Sequence, residues 1–265
     1  MFDGNTRNLW ARRTRHPPRI FPVRYRTSPA VRTARHSSVP QLYTRHMGQF
    51  EHIDISQCSF DEFVSFLFAR DVPDETEKSD PWYWNTDVTF DPQRVCEYYV
   101  RLFRHPAFLM ERFSKSQLEE GFWAIQGPNL SCSVSGLIWN MDLEFATRQQ
   151  CVQSMLDLFK NLFAVEPLDT SAQMWWDSLC YDWHCGNRNR QQGGEDLLMQ
   201  DVIFQTLTAI LALDSEFCQG AALHGLGHLR HPETAELIER YIRQHPSLTR
   251  EQRDYALAAA RFTVL

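Results

Sequence analysis

The sequence lacks the features that identify membrane proteins and secreted disulfide-rich proteins. No apolar run approaches the about 18 residues of a membrane-spanning helix. The seven cysteines are odd in number and widely spaced, and no C-x-x-C pair occurs among them. This pattern argues against a disulfide framework and is typical of small buried side chains in a reducing compartment. We therefore expect a cytoplasmic protein.

Several common catalytic motifs are also missing. The chain contains no G-x-S-x-G nucleophile turn, no Gly-rich phosphate loop and no H-E-x-x-H zinc motif. We accordingly predict a protein that is not an enzyme and that needs no cofactor.

Lysine is scarce, and charge is distributed unevenly along the chain. All three lysines follow residue 47, and residues 48–265 contain 17 basic and 32 acidic side chains. Residues 1–47 hold ten arginines and a single acid, Asp3. An acidic body disfavours nucleic acid as a partner, because phosphate neutralisation needs clustered basic side chains. It favours a protein partner with a basic surface.

The first 46 residues contain five prolines and no sustained apolar period. Such a segment cannot bury enough surface to offset the ordering of its backbone, so we predict disorder. A basic arm, an organelle transit peptide and an upstream extension of the true start at Met47 are three interpretations of it. Acidic, Phe-rich sequence with regular apolar spacing begins at residue 47. The fold is therefore predicted from residue 47 onward.

Residues 218–246 have the pattern of a helical hairpin. Ala222, Leu226 and Leu229 form an apolar stripe at helical spacing. Pro232 ends that helix and can open the next, which carries a second stripe at Ala235, Ile238, Tyr241 and Ile242 before Pro246. Gly225 and Gly227 weaken a helix, so a close contact with another helix is expected to compensate for them.

This hairpin resembles the HEAT repeat, whose first helix carries small residues before a Leu-Gly pair and whose turn carries a proline. The residues of this chain that match the pattern are Ala222, Leu226, Gly227, Leu229, Pro232 and Ile238. Residues 98–110, 114–123 and 174–179 are also similar to segments of uncharacterised bacterial proteins that end in such hairpins. The resemblance implies a binding scaffold and identifies no partner.

Helical signals recur along the remaining chain. Capping-box spacings at Ser59–Glu62, Ser116–Glu119 and Thr249–Gln252 predict three helix starts. Further helices are predicted over 92–105, 143–164, 170–185 and 195–213. We therefore predict an all-α, right-handed superhelix of stacked antiparallel helix pairs. Its regions would be a disordered extension at 1–46, a helical region without clear repeats at 47–190 and HEAT-like repeats at 191–265.

Histidine and cysteine residues suggest two alternative functions: the protein could be an enzyme or a metal-binding protein. His224 and His228 stand at the i, i+4 spacing of two metal ligands, with His231 following, but no acid or cysteine is adjacent in the sequence. His184 and Cys185 could supply further ligands, and Cys180, His184 and Asp177 are the residue types of a thiol enzyme. We predict structural roles for these residues and no bound metal.

The predicted partner site combines acids with aromatic residues. Asp74, Glu75 and Glu77 precede Trp82-Tyr83-Trp84, and three consecutive aromatic residues cannot all face one core. Exposed aromatic residues are favoured at binding surfaces. We therefore predict that Asp74, Glu75, Glu77, Trp82 and Trp84 bind a basic protein partner. An immunity-type protein that masks a basic toxin is the narrower alternative.

Overall fold

A computed structural model describes residues 51–72 and 80–264 of the chain. Eleven α-helices occur in this part. They are α1 (Phe60–Phe68), α2 (Pro92–Arg104), α3 (Phe108–Arg112), α4 (Lys115–Gln126), α5 (Val134–Leu137), α6 (Phe145–Leu158), α7 (Trp175–His184), α8 (Gly194–Leu211), α9 (Glu216–Leu229), α10 (Thr234–Gln244) and α11 (Arg250–Ala260). A π-helical turn, Phe159–Phe163, continues α6, and 3₁₀ turns lie at Trp82–Trp84 and Arg190–Gln192. The described chain is thus mostly helical, as predicted.

Two short strands form the non-helical part of the fold. β1 (Glu51–Asp54) pairs in parallel with β2 (Thr86–Thr89), with Glu51 opposite Thr86. This sheet was not predicted from the sequence. Each strand has only four residues, which is too short for an alternating pattern to stand out from loop sequence.

Side-chain caps begin several of the helices. The capping boxes at Ser59 and Thr249 open α1 and α11 as predicted. Asp91 caps α2, whose first residue is Pro92. The third predicted box is wrong by two positions, because Ser114 and Gln117 form it rather than Ser116 and Glu119.

Glu119 has a different role that positions α7. Its carboxylate accepts hydrogen bonds from the backbone N–H groups of Thr170 at 2.9 Å and Ser171 at 2.8 Å. These bonds hold the chain before α7 in a loop. The helix therefore begins at Trp175, five residues later than the predicted start at Thr170.

A continuous aromatic core joins the helices that precede α8. Phe103 of α2, Phe122 of α4 and Phe163 after α6 all contact the ring of Trp175 at centroid distances of 5.6 to 6.0 Å. Edge-to-face pairs of this kind stabilise a core beyond the area that they bury. They also fix the first turn of α7 against the rest of the molecule.

The predicted hairpin is present as α9 and α10, with Pro232 in the turn between them and α10 beginning at Thr234. Ala222, Leu226, Leu229 and Ile238 are fully buried. The stripe of α10 differs in part, because Ala235 is exposed and Leu237 is buried. Of the described helices, none is both long and apolar enough to cross a membrane.

Gly225 and Gly227 mark close approaches, as expected from their cost to the helix. A Cβ on Gly225 would lie 2.7 Å from Cβ of Trp176 on α7. A Cβ on Gly227 would lie 2.3 Å from Val264. The first glycine thus lets α9 approach α7 closely, and this contact brings the residues of the candidate site together.

Candidate metal centre

The central position of α9 buries two histidines. This helix packs against α7, α8 and α11, and it is buried around most of its circumference. His224 and His228 are therefore removed from water, with relative exposures of 2% and 9%. Buried imidazole nitrogens require polar partners. Both ring nitrogens of each histidine have one.

His224 lies between a carboxylate and a phenol. Its Nε2 is 2.6 Å from Oδ1 of Asp177 on α7. Its Nδ1 is 2.7 Å from the hydroxyl of Tyr255 on α11. One imidazole thus connects three helices, and the ring is held at both nitrogens.

His228, one helical turn later, faces the same point. Its Nε2 lies 3.1 Å from Nε2 of His224 and 3.6 Å from Oδ1 of Asp177. Its Nδ1 lies 2.8 Å from Nδ1 of His184, the last residue of α7. Two imidazole nitrogens and one carboxylate oxygen therefore converge.

The three converging atoms have the spacing of ligands to one ion. Separations of 2.6, 3.1 and 3.6 Å place them on a circle about 1.8 Å in radius, and zinc binds such donors at about 2.0–2.2 Å. Ligand atoms about 2.1 Å from a tetrahedral ion lie roughly 3.4 Å apart. Asp177, His224 and His228 would therefore hold a first-row divalent cation after Asp177 and His224, now 2.6 Å apart, separate by about 1 Å.

A single cation would contact all three atoms, whereas a single proton on Nε2 of His224 is shared between Asp177 and His228. If Nε2 of His224 carries the proton, the Asp177 carboxylate and Nε2 of His228 are two acceptors for one N–H group. If that nitrogen carries no proton, two acceptors face each other at 2.6 Å. A cation between the three atoms is attracted to all of them at once.

The protonation of His228 favours metal binding at neutral pH. Burial is the largest cause that lowers its pKa, to about 4, although the nearby Asp177 carboxylate opposes the shift. Burial also lowers the pKa of His184. Because a metal binds the neutral imidazole, His228 needs no deprotonation at pH 7 before it binds.

Each outer ring nitrogen has a side-chain partner. If a metal bound the Nε2 atoms, the Nδ1–H of His224 would donate to the Tyr255 hydroxyl and the Nδ1–H of His228 would donate to Nδ1 of His184. Such contacts orient ligand rings and fix their tautomers. Burial raises the pKa of Tyr255, so its hydroxyl stays protonated.

Solvent reaches the cluster from one side. The Asp177 side chain is 33% exposed, whereas the side chains of His224 and His228 are 3% and 11% exposed. Zinc sites with three protein ligands keep a position for water or a further ligand. A bound ion would therefore be reached by water from the side of Asp177, the most exposed of the three side chains.

Other predicted ligands and catalytic residues do not join this cluster. His231 bonds to Asp201 at 3.0 Å and stacks on Phe204, away from His228. Cys185 is exposed at the end of α7. Cys180 is fully buried, and burial raises its pKa well above the usual value, which is typical of an unreactive thiol.

The basic residues of the loop after α7 form ion pairs. Arg188 pairs with Asp182 and Asp196, and Arg190 pairs with Asp201. Their charges are therefore compensated within the protein.

The predicted partner site is described only in part, since Asp74, Glu75 and Glu77 lie outside the described residues. Trp82 packs edge-on against Phe66 and under the guanidinium of Arg70. Tyr83 is buried, and Trp84 is 47% exposed. Of the three aromatic residues, Trp84 is the one that is largely available to a partner.

The sequence predicts the histidine pair but not the grouping of the site residues. No acid lies beside His224 and His228 in the sequence, where Asp177 is instead close to Cys180 and His184. In the fold, Asp177 supplies the carboxylate, His184 supports His228, and Tyr255 supports His224. The available signal was Gly225, which lies between the histidines and marks the close helix contact.

No family model, no curated protein and no solved structure matches this chain.

Proposed function

We propose that this protein binds one divalent transition-metal ion through Asp177, His224 and His228. The observation that carries the proposal is the convergence of these three donor atoms at 2.6 to 3.6 Å. Mixed imidazole and carboxylate ligands suit zinc and its neighbours among the first-row metals. The hydrogen bonds that His224 makes with Tyr255 and His228 makes with His184 hold the two imidazoles in the binding orientation.

Titration of chelator-treated protein with Co²⁺ tests the proposal. Co²⁺ reports its own coordination through visible absorption, and displacement by Zn²⁺ then gives the zinc affinity. We expect one equivalent to bind. His228→Ala should weaken binding at least about tenfold, because a ligand is lost. His231→Asn is the matched control, since it alters a buried histidine three residues after His228 that bonds to Asp201 instead.

A protein-binding scaffold is the second candidate function. Its support is the exposure of Trp84, at 47%, on a protein with a net charge of −6. The HEAT-like superhelix and an immunity-type role that masks a basic toxin belong to this proposal. The support in the fold for the superhelix is the succession of α9, α10 and α11, in which α11 packs against both of the other helices.

Affinity capture from native cell extract separates the two candidates. Under the scaffold proposal, Trp84→Ala keeps its melting temperature and loses the partner that the unaltered protein retains, because aromatic anchors contribute about 2 kcal/mol or more at an interface. If the variant and the unaltered protein captured the same amount of partner, Trp84 would have no role in binding.

A further inference from the structure

A cavity of about 280 Å³ lies between the first turn of α1, the end of α2 and α3. The residues that line it are Phe60, Asp61, Arg101, His105, Phe108 and Arg112. None of them belongs to the proposed metal centre. Sites for small molecules begin at volumes of about 300 Å³, so this cavity is suited to a small ligand.

Two aromatic rings form the apolar part of the cavity. Phe60 is 8% exposed, and the half-buried Phe108 packs against the same core. Their ring centroids lie 6.3 Å apart with the planes inclined at 61°, an edge-to-face arrangement. Because both rings are held by the core, they offer a fixed apolar surface to a ligand.

Basic side chains lie against these rings. Cζ of Arg101 is 3.9 Å from the centroid of the Phe60 ring, and Cζ of Arg112 is 5.7 Å from that of Phe108. The attraction between a cation and a ring restrains each guanidinium, which reduces the entropy that is lost when a ligand binds. His105 lines the same cavity and is exposed.

The positive charge of the lining exceeds its negative charge. Asp61 is the one acid among the six lining residues, and its Oδ1 lies 3.5 Å from Nη1 of Arg112. The Asp61 side chain is 80% exposed, and such a pair contributes little. In the part of the chain that the structure describes, the Arg101 guanidinium has neither an ion-pair partner nor a hydrogen-bond acceptor. The cavity is therefore a basic site on an acidic protein.

We propose that this cavity binds a small aromatic carboxylate. The carboxylate accepts two parallel hydrogen bonds from the Arg101 guanidinium, and the ring of the ligand packs against Phe60 and Phe108. One unpaired guanidinium matches the single charge of a carboxylate better than the two charges of a phosphate monoester. Since Arg101 lies directly against Phe60, one small molecule spans both contacts.

Titrations with three probes, followed by NMR of the ¹⁵N-labelled protein at constant ionic strength, test the inference. Benzoate carries both the ring and the charge. Benzamide keeps the ring without the charge, and acetate keeps the charge without the ring. We expect a saturable response to benzoate, with a Kd at least about tenfold lower than for either of the others, because each of these lacks one of the two contacts.

Arginine variants then locate the site. Arg101→Gln should weaken benzoate binding at least about tenfold and leave benzamide binding unchanged. Arg104→Gln is the matched control, because it removes the same charge from the same turn of α2 but does not line the cavity. It should leave the affinity for benzoate near that of the unaltered protein. Thermal melting of both variants checks that the fold is retained.

Three results would overturn the inference. The first is the absence of a saturable response to benzoate. The second is equal affinity for benzoate and benzamide, which would show that the guanidinium is not used; this comparison needs only the unaltered protein. The third is an equal loss in the two arginine variants, which would mean that benzoate is attracted by the general charge of the turn. Metal binding by Asp177, His224 and His228 affects none of these results, so the two proposals fail separately.

Discussion

Oδ1 of Asp177 lies 2.6 Å from Nε2 of His224, although 47 positions separate the two residues in the chain. The helices that carry them, α7 and α9, are held in place by packing contacts that do not involve the two residues themselves. Trp175 holds the start of α7 in the aromatic core, and Gly225 lets α9 approach Trp176. The candidate site is therefore a product of how α7 and α9 pack.

The first prediction concerns this packing. Gly225→Ala places a Cβ 2.7 Å from Trp176, and that contact involves the base of the indole side chain, which cannot rotate away. We expect the variant to lose about 1–3 kcal/mol of unfolding free energy despite its better helix propensity. Metal affinity should fall with it, because Asp177 moves away from His224. Chemical denaturation and Co²⁺ titration measure the two effects.

Gly227→Ala is the matched control. Its new Cβ would meet Val264 at 2.3 Å and the backbone of Ala259 on α11 at 3.3 Å, and it would not meet α7. It should lower stability and leave metal affinity near that of the unaltered protein. Equal losses of affinity in the two glycine variants would show that the α7–α9 contact does not position the site.

A second prediction concerns the hairpin. Leu226 is fully buried on α9, so Leu226→Asp places a carboxylate in the core without a partner. Changes of this kind cost several kcal/mol, on the order of 3–5. Circular dichroism should show loss of helix or a greatly lowered melting temperature. A folded variant of near-native stability would contradict the described packing of α9.

A third prediction concerns acid stability. Burial is the largest cause that lowers the pKa of His231, while the bond to Asp201 opposes it and the charge of Arg190 favours it. The unfolded chain therefore binds a proton at this histidine more readily than the folded protein. Stability from His231 is present above its unfolded pKa, about 6.5, and is lost as the pH falls below that value.

His231→Asn removes this contribution and should make the unfolding free energy depend less on pH. Denaturant midpoints measured from pH 7.5 to 5 should fall less steeply for the variant than for the unaltered protein. The variant will be less stable at pH 7.5, because Asp201 and Phe204 lose a partner. Parallel curves would show that His231 does not titrate differently in the two states.

Sequence predicted local structure better than long-range grouping. The caps at Ser59 and Thr249 and the start at Pro92 depend on neighbouring residues, and the structure confirms them. The start of α7 depends on Glu119, about 50 residues earlier, and its prediction was wrong by five positions. The contact with Glu119 of α4 changed where α7 begins, and the residues around Thr170 alone do not show it.

The same distinction explains the site. The spacing of His224 and His228 on one face of α9 could be predicted, because helical geometry alone determines it. The positions of Asp177 and Tyr255 could not, since they depend on how α7 and α11 pack against α9. The burial of His224 and His228 could not be predicted either, because it also depends on how the helices pack.

The metal content of the protein tests the central claim most directly. Native mass spectrometry of the chelator-treated chain, before and after one equivalent of Zn²⁺, counts the ions that each folded molecule holds. We predict one zinc ion per chain, and none at the same concentration in the Asp177→Asn/His228→Ala variant with its fold retained. A folded, unaltered protein that takes up no zinc, or that binds it equally after both substitutions, would contradict the assignment of Asp177, His224 and His228 as a metal centre.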